Sequence, residues 1–463
     1  MQKVDFENGK VWKNILMTAF PMLIAQVVSL LYNIVDRIYI GRIPEVGTEA
    51  LGAVGITFPI IILITGFTNM FGMGGAPLFS IELGRGNKVK ASAILNTVFR
   101  LEIIAALIIT AVGEIFASPL LLAFGATEAE LVYSLPYLQI YLIGTVFTML
   151  STGLNPFINA QGYSTIGMIT VIVGAAANIG LDPVFMFGLN MGVAGAAIAT
   201  VISQVISCAL VLGFFRSSKN EFPLRKERLL GSGDKDKPAS MLPQAGNIIG
   251  LGVTPFTMQA TNSLVSICCN NVLMNTGGLT YVSVMTVISS VRQILDTPAM
   301  AITEGASPVI SYNYGARKYK NVLSAIFIMG CIAIGYTALM WFLIEHFPEF
   351  FIGIFTSDGA LMQTALNPLH LYFFAFIFQA LQYTGQTVFK ALGEKKFAVF
   401  FSIFRKVILV VPLTFMLPYL FGMGTDGVFI AEPISNFVGG TASFVTMLIV
   451  IVPRLRHGNV KQK

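Results

Sequence analysis

Gly74–Gly84 reads GGAPLFSIELG and Gly305–Gly315 reads GASPVISYNYG. Aligned, they pair Gly74 with Gly305, Pro77 with Pro308, Ser80 with Ser311 and Gly84 with Gly315, all at one offset of 231 positions. The offset recurs downstream, where Ala160 and Gly162 fall on Ala391 and Gly393, each ahead of another apolar segment. One unit therefore occurs twice in the chain. Internal repeats of this kind are a mark of transporter architectures.

Working outward, the chain is 55% hydrophobic and 11% charged, whereas soluble domains carry about a quarter charged residues. Apolar stretches of roughly 20 residues, long enough to cross hydrocarbon as helix, begin near 14, 53, 92, 129, 163 and 192, and again near 246, 280, 322, 362, 398 and 428. The expected fold is an all-α membrane protein with twelve transmembrane helices. Strands are excluded as open structures because unpaired backbone groups are intolerable in lipid.

Charge placement sets the topology. With the N-terminus inside, 25 of the 29 Lys and Arg fall on cytoplasmic segments, the run Lys390, Lys395, Lys396, Arg405 and Lys406 among them, whereas the opposite loops hold only Arg42 against nine acids. This is the expected bias of cytoplasmic loops, and it places both termini in the cytoplasm of a cell membrane protein. The basic balance is thus explained by topology and anionic lipid rather than by nucleic acid. Residues 216–244 form the one long polar stretch, read as a linker between lobes 1–215 and 245–463. Six crossings per half is an even number, so the two six-helix lobes are expected to be related by a pseudo-two-fold axis along the membrane normal.

Acids at membrane depth cost roughly 2.5 to 3.5 kcal/mol each on insertion scales and mark ion paths. There are six: Asp36, Glu102, Asp182, Asp296, Glu304 and Glu432. Asp182 has Asn178 four residues earlier on the same helical face, and Pro183 leaves the carbonyl of Ile179 without its amide. That spacing describes either an oxygen cage for a proton or sodium ion, or simply a helix end at Asp-Pro. Counted at 1.5 Å per residue, Asp36 and Asp182 both fall roughly 28 to 33 Å from the cytoplasmic side, with Thr200 and Tyr137 at similar depth. Gly192, Ala196 and Thr200, spaced by four, suit close packing there. Asp36 has a second reading, a surface partner for Arg37. Asp296 follows Arg292 by four, the spacing of an intrahelical ion pair. Glu304 has no base at helical spacing and reads as a second titrating site. Glu102 and Glu432 carry no decisive spacing.

The four cysteines lie in apolar spans without metal spacing, and His346, His370 and His457 are scattered. No HExxH, GxSxG or P-loop occurs. An enzyme and an ATP-driven pump are therefore disfavoured, and no cofactor is expected beyond a coupling ion.

At this point the sequence resembles the multidrug and toxic compound extrusion (MATE) transporters, in their DinF-like and MepA-like branch. The segments that carry the resemblance are PMLIAQVVSLLYNIVDRIYIG at 21–41, NIGLDPVFMFGLNMGVAGAAIAT at 178–200 and EGASPVISYNYGARKYK at 304–320. The resemblance implies export of organic cations in exchange for H+ or Na+, with the cation held at Asp36, Asn178, Asp182 and Thr200. Acids that other branches use in the seventh and tenth spans are missing, where Asn262, Asn270, Gln379 and Gln382 stand.

The sequence supports a monomeric antiporter whose partners are small amphiphilic cations and membrane lipid, with Tyr137, Glu304 and Asp296 along the path. Six acids against Arg37, Arg100 and Arg292 make that path net negative. The alternative, a lipid-linked oligosaccharide flippase, calls for a basic cleft, and three dispersed arginines count against one.

Overall fold

The computed structural model describes residues 3–44, 46–218, 220–222, 224 and 241–456. Most of the expected linker 216–244, and His457, lie outside the described residues. The described elements are helices throughout. Ten are long and apolar enough to cross a bilayer, or eleven with a bent pair counted as one span. The longest, Met241–Gly315, breaks at Gly278, where φ is 73°, and so supplies two. The crossings number twelve among the described residues.

In chain order they are α1 Val11–Gly41, α2 Gly47–Gly84, α3 Lys88–Ala123, α4 Glu128–Ala160, α5 Ser164–Gly188 and α6 Gly192–Arg216. Then come α7 (241–277), α8 (279–315), α9 Tyr319–His346, α10 as the bent pair Gly359–Phe373 and Ile377–Ala391, α11 Lys395–Tyr419 and α12 Gly424–Arg456.

Helix ends keep the register of the sequence repeat. Shifted by 231, Gly47 falls on the break at Gly278, Lys88 on Tyr319, Glu128 and Ala160 on Gly359 and Ala391, and Ser164 and Gly188 on Lys395 and Tyr419. The last helix of each half slips by one residue, since α6 and α12 begin at Gly192 and Gly424, which share the left-handed conformation at φ 54° and 57°. Glycine adopts that conformation without the Cβ penalty.

Two compact units form. The first is Met1–Val4 with Ile24–Phe256, and the second Asp5–Leu23 with Thr257–Lys463. These cuts differ from the sequence boundaries at 215 and 245, because small residues, not chain order, choose the neighbours. A Cβ on Gly74 would lie 2.5 Å from the Ile248 carbonyl, which ties the start of α7 to α2. A Cβ on Gly305 would lie 2.5 Å from Ala19 Cα, which ties the start of α1 to α8.

Within the first unit α2, α3, α4 and α6 enclose an apolar core in which Phe79 meets Phe157 at 5.3 Å, edge to face. Such contacts add to the area they bury. A Cβ on Gly72 would lie 2.6 Å from the Gly153 carbonyl, so α2 and α4 touch backbone to backbone. Large apolar side chains such as Ile115 and Phe327 remain exposed, as a surface facing hydrocarbon requires.

Candidate cation site in the first unit

Asp182 sits near the C-terminal end of α5, where the helix does not stop. It passes through Pro183 into a π-helical turn over Val184–Gly188, closed by Leu189 N–H to the Val184 carbonyl at 2.9 Å. The helix-end reading of Asp-Pro therefore gives way to a distorted but continuous helix. Single π-helical turns of this kind are common at functional sites.

Asn178 organises the group. Its Nδ2 donates to Asp182 Oδ1 at 3.2 Å and to Thr200 Oγ1 at 3.3 Å. With both donors spent, Asn178 Oδ1 is left as an acceptor without a donor, and Asp182 Oδ2 and Asp36 Oδ1 are in the same condition. Asp182 is fully buried and Asn178 nearly so. The charge of Asp36 acts on Asp182, and Tyr137 feels both carboxylates. The Arg37 guanidinium lies over the Phe58 ring, 4.4 Å from its centroid, and its charge also acts on Asp36.

The structure thus brings Asp36, Asn178, Asp182, Thr200 and Tyr137 together. Buried acceptors without donors are costly, and a hard cation or a proton supplies what they lack. Oxygen-only donors suit sodium rather than a soft metal. Close approach of α6 comes from Gly195, whose Cβ would lie 2.7 Å from the Phe185 backbone, and not from Gly192, which faces open space.

In the second unit Arg292 Nε donates to Asp296 Oδ2 at 3.1 Å, so Asp296 is held in an intrahelical ion pair. Glu304 has a partner that helical spacing could not reveal: its charge acts on Lys390 of α10. Two charge assignments are corrected. Arg405 and Lys406 are not cytoplasmic but buried, 5% and 6% exposed, and both bond Glu432, at 3.0 and 2.9 Å. They reach one oxygen from adjacent positions because α11 widens into a π-helix over Phe404–Val410.

Glu102 is fully buried against Gly153, and neither of its oxygens finds a donor. His370 binds Glu345 at 2.6 Å and His346 stacks on Phe342. No group of three His, Cys, Asp or Glu occurs among the described residues.

Comparison with known proteins identifies the family and the fold. The family model MatE matches residues 21–184 and 256–416, once in each half. The multidrug export protein MepA of Staphylococcus aureus (strain MRSA252) is 25% identical over 420 residues, 90% of each chain. MepA of Staphylococcus haemolyticus is 26% identical over 451 residues, 97% of this chain and 96% of that protein. A crystal structure of MATE in the bent conformation shares the fold at TM-score 0.90 and 21% identity, over 99% of each chain. With the match spanning most of the sequence in both halves, the chain belongs to the MatE family of multi-pass membrane transporters.

Proposed function

We propose that the protein exports amphiphilic organic cations by antiport with H+ or Na+, and that Asp36, Asn178, Asp182 and Thr200 hold the coupling ion. The observation that carries this reading is the set of three buried acceptor oxygens without donors, on Asp36, Asn178 and Asp182. The MepA relatives, named as multidrug export proteins, support drug export.

In this reading the entering ion cancels the cost of the unpartnered carboxylates in one arrangement of the transporter and not in the other. Only such differential affinity can drive a conformational cycle. Tyr137 borders the ion, and the protein works as a monomer in the cell membrane with both termini cytoplasmic. Ethidium efflux from proteoliposomes under separately imposed pH and sodium gradients tests the proposal. Gradient-driven efflux that collapses in Asp182→Asn supports it, and efflux indifferent to both gradients removes it.

The flippase reading stands second. It gains from one observation, that Arg292, Arg405 and Lys406 are gathered around Glu432 rather than dispersed. Translocation of a fluorescent pyrophosphate-linked lipid in the same vesicles, without dye efflux, would favour it.

A further inference from the structure

The second unit holds a buried polar network on α8, α10, α11 and α12 that the cation reading does not use. Its centre is Glu432 Oε1, which pairs with Arg292 Nη1 at 2.7 Å and accepts from Arg405 Nη1 at 3.0 Å and Lys406 Nζ at 2.9 Å. Asp296 is the other acid, bonded by Arg292 and by Gln379 Nε2 at 3.2 Å. Gln379, Glu432, Arg405 and Lys406 are 6% exposed or less, and the network opens only at Arg292 and Asp296, whose side chains are 13% and 15% exposed.

Three basic side chains thus face two carboxylates in one set of ion pairs. With all five groups ionised, one positive charge is left over at membrane depth. Uncompensated charge in a low-dielectric interior is far more costly than a paired one. A bound anion is the compensation that keeps all three cations charged.

The place of the cluster in the repeat points the same way. At the one-residue slip of the last helices, Glu432 is the counterpart of Thr200, with Met191, Gly192, Gly195 and Ala199 falling on Met423, Gly424, Gly427 and Ala431. Arg405 and Lys406 lie on α11, the counterpart of α5. The fifth and sixth helices of each half therefore build a buried polar site, with unpartnered oxygens in the first and surplus cations in the second.

We propose that this second site binds a monovalent anion, either a free inorganic ion or a carboxylate borne by the cargo, entering beside Arg292 and Asp296. The charge argument stands without the cation reading of the first unit.

The test is thermal unfolding of the purified full chain in detergent, in potassium chloride, potassium benzoate or potassium isethionate, a bulky sulfonate without a carboxylate, at equal ionic strength. A ligand that binds the folded state raises stability with its concentration. We expect chloride or benzoate to raise Tm over isethionate in the wild type, and the shift to vanish in Lys406→Met, where charges balance. Lys406→Arg should restore it. A shift with chloride identifies a free inorganic ion, and a shift with benzoate alone identifies a cargo carboxylate.

Should Lys406→Met fail to fold, Asp296→Asn reads the same property in the opposite direction, because a second surplus charge should enlarge the anion shift. Asp182→Asn should leave the shift unchanged, which separates this proposal from the cation site. Equal melting of the wild type in all three salts overturns it. So does an anion shift that survives in Lys406→Met, or one that Asp296→Asn does not enlarge.

Discussion

Asp182→Asn removes one charge while preserving most of the local geometry. The amide oxygen of the new side chain still accepts from Asn178 Nδ2, now 3.2 Å from Asp182 Oδ1, and its nitrogen replaces one of the acceptors without a donor, Asp182 Oδ2. Folding stability should therefore change by no more than about 1 kcal/mol, the net worth of one hydrogen bond. Ion binding should change far more. A carboxylate and a cation about 4 Å apart attract by about 4 kcal/mol at an effective dielectric of 20, which at 1.4 kcal/mol per decade is roughly a thousandfold in affinity. Thr200→Val, which removes a neutral hydroxyl, should cost only about 1 kcal/mol, roughly fivefold. The assay is ethidium efflux from proteoliposomes against a titrated sodium or proton gradient, with thermal unfolding of the same preparations. A half-saturating ion concentration raised more by Thr200→Val than by Asp182→Asn, or unaltered in both, would refute the reasoning.

Glu432→Gln leaves Arg292, Arg405 and Lys406 facing only Asp296. It should cost about 3 to 5 kcal/mol, as broken buried pairs do, seen as loss of folded protein on size exclusion. Gly252→Ala drives a Cβ into the Met70 backbone and should cost about 1 to 3 kcal/mol or more by overpacking, whereas Gly246→Ala, with nothing within 4 Å, should be neutral by the same thermal assay. Outside the membrane, Lys88 and Lys3 bond Glu221 at 2.8 and 3.0 Å and hold its carboxyl below the usual glutamate range. The clasp is then fully present above about pH 4.5 and lost as pH falls through the lowered value. Hydrogen exchange at Val4, whose N–H bonds the Gly162 carbonyl at 2.9 Å, should quicken on acidification in the wild type and be pH-independent, beyond intrinsic exchange, in Glu221→Gln.

What the sequence reveals here is whatever depends on local spacing. The repeat at 231 positions, the twelve crossings, the i,i+4 relation of Asn178 to Asp182 and that of Arg292 to Asp296 are all periodicities along one helix, and each reappears in the structure. What it conceals depends on a second helix or on a departure from 3.6 residues per turn. The charge of Glu304 acts on Lys390 from another helix. Arg405 and Lys406 follow Lys395 and Lys396 closely enough to pass for one cytoplasmic run. Their burial follows from Glu432, which lies 26 and 27 positions away, and their shared target follows from the π-helical stretch. Placing Arg405 and Lys406 among the buried charges brings the bases to five against six acids, so the negative excess read from composition shrinks to one.

The two halves keep one scaffold while exchanging its chemistry, and a single pair of positions exposes how. A Cβ on Gly174 in α5 would collide with Ser207 Oγ of α6, and Ser207 itself bonds the Thr170 carbonyl at 2.9 Å. The counterparts in the second half are Arg405 and Gly439, where a Cβ on Gly439 would lie 3.0 Å from Arg405 Cγ. The large and small partners have changed places, so the helix pair stays closely packed while a guanidinium gains room to reach Glu432. Gly439→Ser should therefore cost about 1 to 3 kcal/mol by crowding Arg405. In the background of Arg405→Ala, which restores a small residue at the Gly174 position, the same substitution should cost less by about 0.5 to 3 kcal/mol. A double-mutant cycle in thermal unfolding measures that difference. Additive losses would mean that Arg405 and Gly439 are not a compensating pair, and that the second-half charges were accommodated by some other rearrangement of the duplicated scaffold.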